Sequence, residues 1–431
     1  MKSPELLAPA GTLRNLRYAL AFGADAVYAG IPRYSLRVRN NEFNVLDNVA
    51  KGITEAHAAG RLFYLTVNLL PHNAKLRTFL DDIAPAVALG PDALIMADPG
   101  LIMLVRERWP ELPIHLSVQA NTMNWAAVKF WQSLGIERVI LSREVSLDDI
   151  AEIRQRCPEM ELEVFVHGAL CIAYSGRCLL SGYFNHRDAN QGSCTNACRW
   201  EYSVHSAGEN ASGEPVPLRH SEAEPVHFIE EGERPGELMP IEEDEHGTYI
   251  LNSRDLRAVQ HVQRLTEIGV ESLKIEGRTK SHYYVARTTQ VYRRAIDDAV
   301  AGRSFETGLL GELENLANRG YTEGFYNRHA DAEYQNYRQA SSDSVHQRFV
   351  AEVTAFDAET GMAQLDVKNK FAVGDRLELI TPAGNHDFVL EKMESLGGEP
   401  MQEVPGGGWR VRIPLPRPAD RFTLITRYEP A

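Results

Sequence analysis

The sequence predicts an α/β chain: a (β/α)8 TIM-type barrel with an irregular insertion after its seventh strand, then a small C-terminal all-β barrel. Three observations carry this expectation. In the first 300 residues, eight short apolar runs alternate with amphipathic helical stretches. Such alternation implies parallel pairing, because each parallel strand needs a crossover before the next. Beyond residue 348 the helical stretches stop, and short alternating segments separated by Gly and Asn turns take over. Eight strands close a barrel at about this length. An open doubly wound sheet is the alternative, but no G-x-G-x-x-G follows the first strand, which removes its simplest dinucleotide-binding form.

The predicted strands are ELLAPA (5–10), AVYAG (26–30), LFYLTVN (62–68), ALIMA (93–97), IHLSVQ (114–119), RVILS (138–142), LEVFVHG (162–168) and SLKIEG (272–277). Between them lie helices such as LDNVAKGITEAHAAG, AKLRTFLDDIAPAVALG and SLDDIAEIRQRC. Gly23, Gly60, Gly90, Gly135 and Gly269 stand where helices end, and Ser146 and Ser253 where they begin. The pattern breaks at 201–247, a stretch rich in Glu, Pro, Gly and Ser without apolar periodicity. It resumes at TYILNSRDLRAVQHVQRLTEIG and ends after a helix over 281–302. The expected organisation is a catalytic barrel over 1–327, a polar linker at 328–347 and the β-barrel over 348–431.

The 431 residues are 44% hydrophobic and 24% charged, a globular composition. The start lacks a secretory h-region and no run is long enough to span a membrane, so a cytoplasmic protein is expected. The net charge of −14 argues against a nucleic-acid partner only at first sight. Residues 201–247 hold thirteen acidic residues and two arginines, which accounts for eleven of those charges. The rest of the chain is near neutral, and a run such as RYSLRVRN (33–40), with Arg37 and Arg39, is free to form a basic patch.

Four of the five cysteines crowd into 28 residues: Cys171, Cys178, Cys194 and Cys198, spaced C-x6-C-x15-C-x3-C. In a reducing compartment that clustering favours soft-metal ligation over disulfides. Four thiolates suit an iron–sulfur cluster or Zn²⁺; the paired short knuckles usual in structural zinc sites are missing. Cys157 reads as a small buried hydrophobe. In the barrel reading Asn68, Gln119, Arg143, His167 and Glu276 reach the mouth from strand ends, beside the cysteine loop. His167 suits proton transfer or metal ligation as well as a structural role. Arg143 and Arg278 suit carboxylate or phosphate. Glu276 is an acid/base candidate or a partner of Lys274 or Arg278, and Asn68 and Gln119 are candidates for orienting a substrate.

The blocks ELLAPAG, GADAVYAG, HGALCIAYSGRCLLSG, NQGSCTNACRW and SLKIEGRTKS resemble the signatures of the collagenase-like peptidase family, and the likeness runs over essentially the whole chain. The resemblance implies a [4Fe–4S] cluster on Cys171, Cys178, Cys194 and Cys198. Some relatives have a cysteine where this chain has Arg257, which makes Cys198 the weakest member of that set. The blocks RYSLRVRNNEF, PHNAKL and DEHGTYILNSRDLRA narrow the likeness to a branch that makes 5-hydroxyuridine at the tRNA wobble position without oxygen. That branch implies tRNA, recognised at its anticodon region, and prephenate as partners, with an unidentified electron donor. Proteolysis, despite the family label, finds no H-E-x-x-H helix and no G-x-S-x-G elbow, only Cys171 and His167 as a possible dyad. A non-catalytic tRNA-binding adaptor stabilised by zinc or a cluster is the alternative from another class.

Overall fold

The computed structural model describes residues 2–31, 33–36, 41–171, 173–174, 177–178, 254–318, 320–327 and 347–429, with six strand segments between 202 and 248. The apolar runs become strands β1 (Glu5–Pro9), β2 (Ala26–Gly30), β3 (Leu62–Val67), β4 (Ala93–Met96), β5 (Ile114–Leu116), β6 (Arg138–Ile140) and β7 (Glu161–Ala169). After the insertion come a short strand β8 (Asp255–Arg257) and the eighth barrel strand, β9 (Ser272–Ile275). Each of β1 to β6 pairs in parallel with the next, and β9 pairs in parallel with both β1 and β7, which closes the barrel. Closure leaves these strands buried on both faces, which is why they read as continuous apolar runs.

The crossovers are α1 (Leu13–Ala21), α2 (Leu46–Ala58), α3 (Phe79–Val87), α4 (Pro99–Arg108), α5 (Trp125–Ser133), α6 (Leu147–Arg156), α7 (Val262–Ile268) and α8 (His282–Val300). The five predicted C-terminal glycines all take positive φ, where a side chain would be strained. Ser146 starts α6 in a reciprocal capping box with Asp149; Ser253 lies outside the described residues. The stretch 74–90 forms a turn at Asn73–Leu76 and then α3, because Thr78 is non-helical. The Thr78 hydroxyl donates to Asp82 at 2.8 Å.

The insertion departs from the irregular structure expected of it. The segments Tyr202–Glu209, Pro215–Pro217, Val226–Glu231 and Leu238–Ile241 form a four-stranded antiparallel sheet. Their apolar residues alternate over only a few positions between acidic runs, so the period is lost in the charge. The linker at 328–346 lies outside the described residues.

Residues 347–429 form antiparallel sheets around a second core that includes Val350, Leu365, Phe371, Leu379 and Val411. This part is docked on the barrel through α8. Ile380 and Leu424 join the barrel's own core, Tyr283 stacks on Phe349 at 4.9 Å, and buried Arg287 pairs with Glu378 at 3.1 Å. No helix among the described residues is long and apolar enough to cross a membrane.

Candidate functional site

Strand β7 is nine residues long, longer than its barrel neighbours, and its end projects past them. There β8 runs antiparallel to it, setting Asp255, Leu256 and Arg257 opposite Ala169, Gly168 and His167. The chain leaves this pair through Leu170 to Cys171, which is exposed, and on to Cys178, which is half-buried. Cys157 is instead 2% exposed in the core, where burial pushes its thiol pKa up. Cys171 therefore sits two residues past the end of β7, at the barrel mouth; Cys194 and Cys198 lie outside the described residues, as do Arg37 and Arg39.

His167 is buried among the rings of Tyr284, Tyr292 and Tyr321, at 5.8, 5.5 and 5.5 Å. Its Nδ1 lies 3.4 Å from the Tyr292 hydroxyl, and loss of solvent pushes its pKa down to about 3. The imidazole is thus neutral at physiological pH. Among the described residues no hydrogen bond joins it to Cys171.

Glu276 meets the same stretch of β7. Its amide donates to the His167 carbonyl at 2.9 Å, its carboxylate accepts from the Ala169 amide at 3.4 Å, and its carbonyl accepts from the Tyr284 hydroxyl at 2.8 Å. Gly168 makes this approach possible: with φ +105, a Cβ there would lie 2.5 Å from the Glu276 carbonyl oxygen. Lys274 is paired elsewhere, with fully buried Glu163 at 2.8 Å. Arg138 joins that network inside the barrel, 2.7 Å from Glu5 and 3.3 Å from Glu163.

Cations and rings alternate across the mouth. The Arg143 guanidinium stands 4.0 Å over Phe165, whose ring is 5.4 Å from the Lys274 ammonium. Lys274 also lies 4.4 Å from the Tyr28 ring, and Arg278 follows at 6.0 Å. The two arginines differ in kind. Arg278 is buried and donates to the Ser35 hydroxyl at 3.0 Å and to the Leu36 carbonyl. Arg143 is half-buried, held by the ring face and without an acidic partner among the described residues.

Asn68 is committed to the framework: it accepts from the Leu36 amide and donates to the Ser117 hydroxyl, both at 3.2 Å. Gln119 falls in a 3-10 turn at Val118–Ala120 rather than in a strand, because β5 stops at Leu116 and Asn121 turns left-handed. The sequence gives no site role to Asp255 or to the tyrosines around His167, and it marks Arg257 only through the resemblance, as the position where some relatives carry a cysteine. Arg257 lies 4.8 Å over the Tyr321 ring and pairs with Glu314 at 2.9 Å. No local signal marks these residues, since they meet His167 from segments about 90 to 150 residues downstream.

The family model described as Peptidase family U32 matches residues 11–336, and that of the Peptidase family U32 C-terminal domain matches 346–426. The chain is 61% identical to tRNA hydroxylation protein P of Escherichia coli, over 99% of this chain and 97% of that one. It is 57% identical to the protein of the same name from Haemophilus influenzae, over 98% and 96%. A solved structure of a U32 peptidase is similar at 14% identity and a TM-score of 0.39, covering 64% of this chain and 94% of that one. With matched segments spanning both the barrel and the C-terminal sheets, the chain belongs to peptidase family U32.

Proposed function

We propose that this chain is a tRNA-modifying enzyme that converts the wobble uridine to 5-hydroxyuridine without oxygen. In this reading Cys171, Cys178, Cys194 and Cys198 hold a [4Fe–4S] cluster and prephenate donates the hydroxyl group. The observation that carries the proposal is full-length similarity, at 61% identity, to a protein named for tRNA hydroxylation. The donor set fits the cluster: soft thiols, one of them, Cys171, exposed just past the open end of β7 where a substrate can reach. Bound there, a cluster supplies an iron able to act as Lewis acid or electron carrier.

The chain's own residues supply binding and orientation. Arg143 has a guanidinium available to a carboxylate of prephenate. His167, neutral and caged by tyrosines, contributes a dipole and shape rather than an imidazolium charge. Glu276 fixes the turn of chain that leads to Cys171 by accepting from the Ala169 amide. The tRNA is held chiefly through its phosphates by the basic run 33–40, so its affinity falls steeply with salt. The cytoplasm, where tRNA is found, is the proposed location, with a separate protein as electron donor.

The test is anaerobic purification with iron, sulfide and zinc analysis, then mass spectrometry of tRNA nucleosides after incubation with prephenate. About four irons and four sulfides per chain, lost in Cys171→Ala, together with prephenate-dependent 5-hydroxyuridine are expected. One tight zinc, no sulfide and no turnover would replace this reading with the adaptor.

A further inference from the structure

The loop after β2 is tied across the barrel mouth by a joint that draws on four strands. Its Leu36 is gripped on both sides of the backbone: the amide donates to Asn68 at the end of β3, at 3.2 Å, and the carbonyl accepts from Arg278 beyond β9. A second arm of the Arg278 fork reaches the Ser35 hydroxyl at 3.0 Å. Asn68 is itself oriented by Ser117 after β5, at 3.2 Å. Gly30, the last residue of β2, completes the joint, because a Cβ there would collide with both Arg278 and Ser35. Lower down, Tyr34 donates to Asp82 at 2.5 Å and Lys75 to the Arg33 carbonyl at 3.1 Å.

Arg278, Ser35 and Asn68 are all buried. A buried guanidinium spent on a serine hydroxyl and a main-chain carbonyl orders chain. We infer that Arg278 is a positioning residue: with Asn68 it fixes Ser35 and Leu36 of the β2–α2 loop at the mouth and so sets tRNA affinity, while the small carboxylate substrate depends on Arg143. This inference rests on the tRNA reading above for its functional consequence, but the anchor itself does not.

Two measurements on the full-length protein separate these parts. The first is limited trypsin digestion, following cleavage after Arg33, next to the anchored Ser35 and Leu36, by mass spectrometry. Arg278→Ala should raise the cleavage rate there about tenfold or more, the scale of losing a hydrogen-bonded charged fork. Arg278→Lys should give little rescue, because an ammonium cannot make the forked contact. Ser35→Ala, which keeps Arg278 and removes one arm, should shift cleavage in the same direction by less. The second is steady-state hydroxylation, with KM for tRNA, KM for prephenate and kcat measured separately. A rise of about tenfold in KM for tRNA, with KM for prephenate unchanged, is expected of the Arg278 variants. Unchanged digestion in both Arg278→Ala and Ser35→Ala would overturn the anchor. A rise confined to KM for prephenate would make Arg278 a substrate ligand instead. If the wild type neither binds nor modifies tRNA, the functional reading fails, and the digestion result still decides the anchor.

Discussion

Replacing Arg287 with Met should cost far more than losing a surface ion pair. Arg287 is 1% exposed and makes three contacts of 3.1 to 3.3 Å with Glu378, which is 6% exposed on the C-terminal sheet. Gln347 donates to the same carboxylate at 3.0 Å. Removing the arginine leaves a buried carboxylate with one neutral donor, and breaking a buried pair in this way costs about 3–5 kcal/mol. A cavity of about 610 Å³ borders both residues and gives water a path to Glu378, which favours the lower end of that range. Removing both charges, in Arg287→Met with Glu378→Leu, leaves no unpaired ion and should recover most of the loss. Urea unfolding of the wild type, both single variants and the double variant gives the coupling energy by a double-mutant cycle. A cost below about 1 kcal/mol for Arg287→Met, or a double variant no better than the worse single, would refute the reasoning.

Arg143→Ala should raise KM for prephenate at least about tenfold, while stability changes by no more than about 1 kcal/mol, the worth of its contact with Phe165; an unchanged KM would remove Arg143 from the site. Gly168→Ala forces a Cβ to within 2.5 Å of the Glu276 carbonyl at positive φ, so it should lower the unfolding free energy by about 1–3 kcal/mol and displace the turn to Cys171. Iron content per chain reads that displacement, and full iron loading at wild-type stability would contradict it. Burial holds His167, His282 and His115 below the ordinary histidine pKa. The unfolded chain therefore binds protons near pH 6.5 that the folded chain refuses, so their contribution is present above that pH and is lost as pH falls below it, towards about 3 for His167 and His282. Each group adds roughly 1 kcal/mol per pH unit to that loss. His167→Asn should flatten the acid limb of a stability–pH curve, and an identical slope would argue for a solvated imidazole.

Local chemistry made much of the framework readable. The eight apolar runs are strands because a closed barrel buries both faces of each, so composition alone marks them. Glycines at 23, 60, 90, 135 and 269 end helices because the backbone there takes a left-handed turn. Strand ends were less legible: the run 114–119 leaves the sheet after Leu116, and apolar character does not report where hydrogen bonding stops. The insertion was obscured for a related reason, since charge outweighed its short β alternation.

The site divides along the same line. Sequence brought out Cys171 and Cys178 by their clustering, and the order of strand and loop puts Cys171 just past the end of β7 at the mouth. It also named His167, Glu276, Arg143 and Arg278, but not which of them were already engaged. Only the folded chain decides that Lys274 answers Glu163, that Arg278 holds Ser35 and Leu36, and that Arg143 rests on Phe165 without an acidic partner among the described residues. It alone brings Tyr284, Tyr292 and Tyr321 around His167 and sets Arg257 across from it. A side chain's type and its strand position follow from local sequence. Its charge state and its availability to a substrate depend on neighbours from about twenty to more than two hundred residues away, and those are set by barrel closure.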